Sequence, residues 1–201
     1  QYFALSDAKR RALGMPRIDQ HEYTDATAQA AEAFLHLYAA DQKPAYLAIA
    51  ERALNWIMTA RVAQQTEQML VFHHDANPSL AYYLTDHLAA ARAFLAMYRV
   101  SGDVVWLTRS QQTTNAIVQY FAHAEAGFTT AQTNAELIQA PPVVEENIYV
   151  VRFLNLLFQY TGNKNFRQAA EQGMKYLASP DIIQTRFEEV GILMADQELA
   201  S

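Results

Sequence analysis

Cysteine is absent from the 201 residues of the chain, which excludes disulfides, thiolate metal sites and a Cys-x-x-Cys redox motif within it. Glycine and proline are scarce, six of each, about half their usual share. Both weaken helices, so their shortage favours long ones. Positive charge is also short: 15 Lys and Arg face 21 Asp and Glu, a net charge of −6. The longest basic run is Lys9-Arg10-Arg11, too little for a phosphate-backbone footprint, so no nucleic acid partner is expected. Apolar runs such as Phe153-Leu-Asn-Leu-Leu-Phe158 fall far below the ~20 residues that span a bilayer. A soluble chain with no membrane partner is expected, with the cytoplasm as the default compartment. What is plentiful is apolar surface: 51% of residues are hydrophobic and 18% charged, a balance that supports a folded core. The first residue is Gln1 rather than Met, so the chain is expected to be a processed product or a piece of something larger.

Shifted by sixty residues, the sequence falls on itself three times. Leu37-Tyr38 meets Met97-Tyr98 and Leu157-Phe158; Tyr46 meets Trp106 and Phe166; Ala50 meets Ser110 and Ala170; Ile57 meets Ile117 and Leu177. Asp41-Gln-Lys-Pro44, Ser101-Gly-Asp103 and Thr161-Gly-Asn163 supply turn and cap chemistry between the two apolar stretches of each copy. Each copy therefore reads as a helical hairpin. The apolar stripes Ala30, Ala33, Phe34, Leu37, Tyr38, then Ala90, Ala93, Phe94, Met97, then Val150, Phe153, Leu154, Leu157 carry helical spacing. The pattern predicts helices over 25–40, 44–60, 85–100, 104–121, 145–160 and 164–178, with a weaker one over 185–199.

Turns within hairpins are short, whereas the connections between them run from Arg61 to Leu84 and from Ala122 to Val144, long for helical links. Antiparallel packing puts every long loop on one face, together with the positive ends of the first, third and fifth helices. Gln68–Phe72 and Gly127–Thr130 are candidate short strands on that face. The expected fold class is all-α: three antiparallel hairpins and a C-terminal segment, one partial α/α-toroid domain over residues 1–201.

Several segments, in order along the chain, resemble proteins that join an N-terminal thioredoxin-like domain to an α/α toroid, the spermatogenesis-associated thioredoxin-like proteins and their bacterial relatives. They are Ala8-Lys-Arg-Arg11, Pro16, Asp19 and Thr24-Asp25; Leu84-Thr-Asp86; Phe94-Leu-Ala-Met-Tyr98; Ser101-Gly-Asp103 with Trp106-Leu107; Ala126-Gly-Phe128; Asn147; and Gly191-Ile-Leu-Met-Ala-Asp196. The resemblance implies a toroid related to the six-hairpin glycosidase and N-acylglucosamine 2-epimerase folds, of which this chain would form roughly the second half, without the thioredoxin-like domain. Departures fall at Ala26-Thr27, His87-Leu88 and Val144-Glu145-Glu146, where the family carries Trp-Asn, Tyr-Ala and Pro-Ser-Gly, and they imply an altered pocket.

Candidate catalytic residues are the acids opening the first, third and fifth helices, Asp25, Asp86, Glu145 and Glu146, because paired carboxylates across a cavity perform glycoside hydrolysis. Acids in a first turn also serve simply as caps. His74, from His73-His74-Asp75 in a long loop, and His87 are candidates for proton transfer near neutral pH. Tyr82, Tyr83 and Phe128 gather on the loop face as candidate sugar-stacking residues, with Asn147 beside them. His73, His74, His87 and Asp75 could also bind a metal, but no helical His-x3-His spacing is present and no metal is expected; no cofactor is expected either. Two functions compete: a carbohydrate-active domain of hydrolase or epimerase type, taking a sugar ligand, and a non-catalytic helical interaction module. The apolar ends Gln1–Leu5, Ile182-Ile183 and Ile192-Leu-Met194 predict that the terminal segments fold back over the open ends, or that a homodimer or missing parts of a parent protein cover them.

Overall fold

The computed structural model describes residues 2–14, 19–77, 81–133 and 140–200; Gln1 and Pro16 lie outside them. Three helical hairpins carry the architecture: α2 (Thr24–Asp41) with α3 (Pro44–Ala60), α4 (Leu84–Ser101) with α5 (Val104–Phe121), and α6 (Val144–Thr161) with α7 (Lys164–Leu177). A short α1 (Asp7–Ala12) precedes them, and α8 (Pro180–Thr185) and α9 (Val190–Ala200) follow.

The sixty-residue period is visible in backbone geometry. Gln42, Gly102 and Gly162 each take a left-handed conformation, φ 58°, 72° and 66°. Each donates its N–H four residues back, to Tyr38, Tyr98 and Phe158, at 2.8, 2.8 and 2.7 Å, which closes the helix. The next residue caps its successor: Asp103 and Asn163 accept from the N–H groups of Val105 and Asn165, while Pro44 opens α3 as its first residue.

Helices α2, α4 and α6 pack side by side as one layer, each backed by its hairpin partner in a second layer. The middle one is enclosed on both flanks: Ala90, Ala93, Phe94 and Met97 are all buried, as the apolar stripe predicts. Full burial of a phenylalanine such as Phe94 contributes about 1.5–3 kcal/mol. On α2 the buried face is rotated from the predicted stripe to Thr24, Ala28, Ala31 and Leu35, while Leu37 is 48% exposed. The reason is position: among the described elements α2 packs chiefly on α3 and α4, and Leu37 faces away from both.

Four short strands sit on the loop face. β1 (Val62–Gln65) pairs antiparallel with β2 (Leu70–Phe72), and β3 (Ala81–Tyr83) with β4 (Ala131–Thr133). The predicted strand at Gln68–Phe72 shortens to β2, and the predicted Gly127–Thr130 strand is reduced to bridges from Phe128 to Ala122 and from Thr129 to Pro142. The single C-terminal helix expected over 185–199 is two helices separated at Arg186–Glu189. Ile192, Ala195 and Leu199 of α9 bury themselves against the third hairpin. Among the described residues, no helix is long and apolar enough to cross a membrane.

Candidate functional site

The long connections bring the N-termini of the inner helices into contact with the loop face. Thr24 donates its N–H to the carbonyl of His74 at 2.9 Å and its hydroxyl to that of His73 at 2.5 Å; Leu84 donates to Thr130 at 2.9 Å. First-turn donors that a helix cannot satisfy itself are thus taken up by the loops.

Of the sequence candidates, Asp25, His74 and Asp86 meet. Asp86 is fully buried. Its Oδ1 accepts the N–H of Asp25 at 3.0 Å, and Nδ1 of His74 lies 3.0 Å from both of its carboxylate oxygens. Burial pushes the Asp86 carboxyl up to about 6 against the opposing pull of His74. The imidazole is held between two rings, stacked on Tyr23 at 4.7 Å and tilted against Tyr83 at 5.0 Å. Tyr23 in turn donates its hydroxyl to Asp19 at 2.6 Å.

His87 does not join this cluster. It is fully buried, with Nδ1 2.8 Å from the carbonyl of Tyr83 and Nε2 accepting the N–H of Phe72 at 3.2 Å. Both ring nitrogens are committed, and burial lowers the imidazole from its usual 6.5 to about 4. His87, a candidate for proton transfer, thus bonds backbone groups through both ring nitrogens. Phe128 and Asn147 are likewise buried. The Asn147 carboxamide accepts the N–H of Phe128 at 2.7 Å and donates to the carbonyls of Phe128 and Val143, each at 2.9 Å, so these two hold a loop to the core rather than facing a ligand. Tyr82 packs on Tyr120, ring centres 5.8 Å apart.

Glu145 and Glu146 stand apart from the three-residue cluster, in a groove between α2, α4 and α6. At the loop end a cavity of about 420 Å³ is lined by Gln29, Glu32, Thr85, Arg92, Glu145, Glu146 and Tyr149. A neighbouring cavity of about 460 Å³ shares Glu32, Arg92 and Tyr149 and adds Arg99 and Arg152. Arg92 bonds Glu32 through Nη2 at 3.0 Å and lies 5.9 Å over the Tyr149 ring, which is 53% exposed. Glu146 is half-buried; its Oε2 is enclosed and has no hydrogen-bond partner among the described residues. Burial, then the neighbouring charge of Glu145, raises its carboxyl above the ordinary range. Glu145 pairs with Arg186 at 3.0 Å.

Sequence reading missed Tyr23, Glu32, Arg92 and Tyr149. The repeat held a signal for the first three, since Tyr23 falls on Tyr83 and Glu32 on Arg92 and Arg152 at the sixty-residue shift.

No family model and no curated protein matches this chain. Among solved structures it is similar to a GH76 alpha-mannanase of Bacteroides thetaiotaomicron, at 12% identity and TM-score 0.65, over 79% of this chain and 45% of that one. It is similar to the cellobiose 2-epimerase of Spirochaeta thermophila at 20% identity and TM-score 0.62, over 79% and 43%. A variant of the alpha-1,6-mannanase GH76A of Salegentibacter, inactive through replacement of two consecutive aspartates by asparagine and in complex with alpha-1,6-mannotriose, aligns at 14% identity and TM-score 0.66, over 86% and 50%. The fold is that of an α/α toroid, and the chain spans about half the length of these proteins.

Proposed function

We propose that the chain supplies half of the ligand face of a carbohydrate-processing α/α toroid, with a saccharide held in the groove between α2, α4 and α6. The lining carries this reading. Carboxylates, a guanidinium and an amide are the groups that bond vicinal hydroxyls, and the exposed Tyr149 ring offers a platform for a sugar face. Glu146, with its raised carboxyl, is suited to hold and deliver a proton, and Glu145 beside it lines the same groove while paired with Arg186. Support also comes from the mannanase made inactive at two consecutive aspartates, since Glu145 and Glu146 are consecutive acids. A saccharide panel including mannotriose and cellobiose, read by calorimetry, tests it. Binding is expected and should weaken about tenfold in Tyr149→Ala, the loss of one ring stack. Glu146→Gln should bind but not turn over. A panel in which no saccharide binds sinks the proposal.

The non-catalytic module is the second reading, favoured by the use of His87 and Asn147 as loop fasteners. In either case the parent protein is proposed to carry a thioredoxin-like domain, on the strength of the ordered motifs from Ala8 to Asp25. Its remaining hairpins would cover the apolar side chains Val190, Leu193 and Met194 that α9 leaves exposed. A parent sequence with no thioredoxin-like stretch upstream of Gln1 would remove that part.

A further inference from the structure

Asp25, His74 and Asp86 come from three separate stretches, the first turn of α2, the loop after β2 and the first turn of α4. Each offers one ligand atom, and the three atoms lie within 4.8 Å of one another. A tetrahedral centre with bonds of about 2.1 Å keeps its ligands roughly 3.4 Å apart. His74 Nδ1 and the Asp86 oxygens already sit at 3.0 Å, so only a small inward movement of the Asp25 carboxylate is required.

Charge argues independently for a cation. Among the described residues no lysine or arginine pairs with Asp25 or Asp86, and His74 is the basic group that Asp86 meets. Among the same residues the Asp25 carboxylate accepts only from the N–H of Ala26 next to it, at 2.7 Å. Asp19 and Asp75 add negative charge around Tyr23. Two inner-helix ends therefore converge on a spot with more carboxylate than partner. The ring that completes it is fixed by stacking on Tyr23 and Tyr83, and ligand rings held in place in this way lose little freedom on binding metal.

The geometry points to a divalent transition-metal site formed by Asp25, His74 and Asp86, where spacing along the sequence had predicted none. One imidazole nitrogen and two carboxylate oxygens suit zinc or manganese better than calcium, which takes six to eight oxygens. Three protein ligands leave a fourth position for water. None of the three side chains lines the groove of the proposed saccharide site, so this inference stands or falls separately from it.

The test is zinc titration of the chelator-stripped chain, by calorimetry and by competition with a chromophoric chelator, with melting temperature followed in parallel. One zinc per chain and a raised melting temperature are expected. His74→Gln and Asp25→Asn should each weaken binding by about tenfold or more, whereas His36→Gln and His123→Gln, at remote histidines, should not. Circular dichroism checks that each variant is folded. Zinc that binds His74→Gln and Asp25→Asn as tightly as the native chain, or leaves the native melting temperature unmoved, overturns the assignment. Calcium acting where zinc does not would overturn the ion class.

Discussion

His87 and Asn147 stand at equivalent places in successive repeats and make the same pair of bonds. Each reaches back four residues to the carbonyl of the residue before its helix, Tyr83 or Val143, and each accepts a backbone N–H from the preceding long connection, Phe72 or Phe128. Among the described residues Thr27, at the same place in the first repeat, makes only the first bond, to Tyr23 at 2.8 Å. An imidazole and a carboxamide are interchangeable here because each presents a donor and an acceptor about the width of a ring apart.

That equivalence makes His87→Asn a conservative change and His87→Leu a severe one. Leucine strands the buried N–H of Phe72 and removes the second bond to the Tyr83 carbonyl, which still caps α4, and should cost about 1–3 kcal/mol. Asparagine should recover at least about half of that loss. Urea unfolding of both variants measures the difference, and equal losses would show that the ring is held by packing alone.

The same histidine sets part of the acid sensitivity. Its folded value, about 4, lies below the 6.5 of an exposed imidazole, so the unfolded chain takes up a proton first. The contribution is complete above pH 6.5, falls away as pH drops from 6.5 to 4, and amounts to about 3 kcal/mol. Stability of the native chain minus that of His87→Asn, measured across this window, should shrink as pH falls. A constant difference would contradict the assignment.

Gly173 in α7 marks a tight contact against Val151 of α6 and Phe128. A Cβ there would lie 2.5 Å from Cγ2 of Val151 and 3.1 Å from Cε2 of Phe128. Gly173→Ala should therefore destabilise by about 1–3 kcal/mol through overpacking, against a helix-propensity gain of up to about 1 kcal/mol. A melting temperature that rises would mean that the side chain of Val151 yields freely.

Helix positions were legible because period, cap and turn chemistry coincide: Gly102 and Gly162 mark two helix ends, and the register carries the third, where Gln42 tolerates the same backbone. The phase of α2 was not legible. Apolar spacing shows which residues could be buried, but whether a flank is covered depends on a neighbour far along the chain. The site divides in the same way. First-turn acids were found by position, yet Asp86 and Glu146 part company because one meets a loop histidine and the other a groove, contacts set by connections whose path leaves no periodic trace. His87, Phe128 and Asn147 combine polar or aromatic character with a loop-face address, and only the hydrogen bonds reveal that they face inward.

The reach of each long connection back to the helix before it has a bearing on synthesis. Thr24 waits for His73 and His74, and Leu84 for Thr130. A hairpin emerging from the ribosome thus has its inner helix complete while the donors of the first turn still look to water, and it locks only when the following connection arrives. Assembly runs one connection behind translation, so a pause after Ala60 or Phe121 holds an unfinished hairpin, and a pause some way further on holds a finished one.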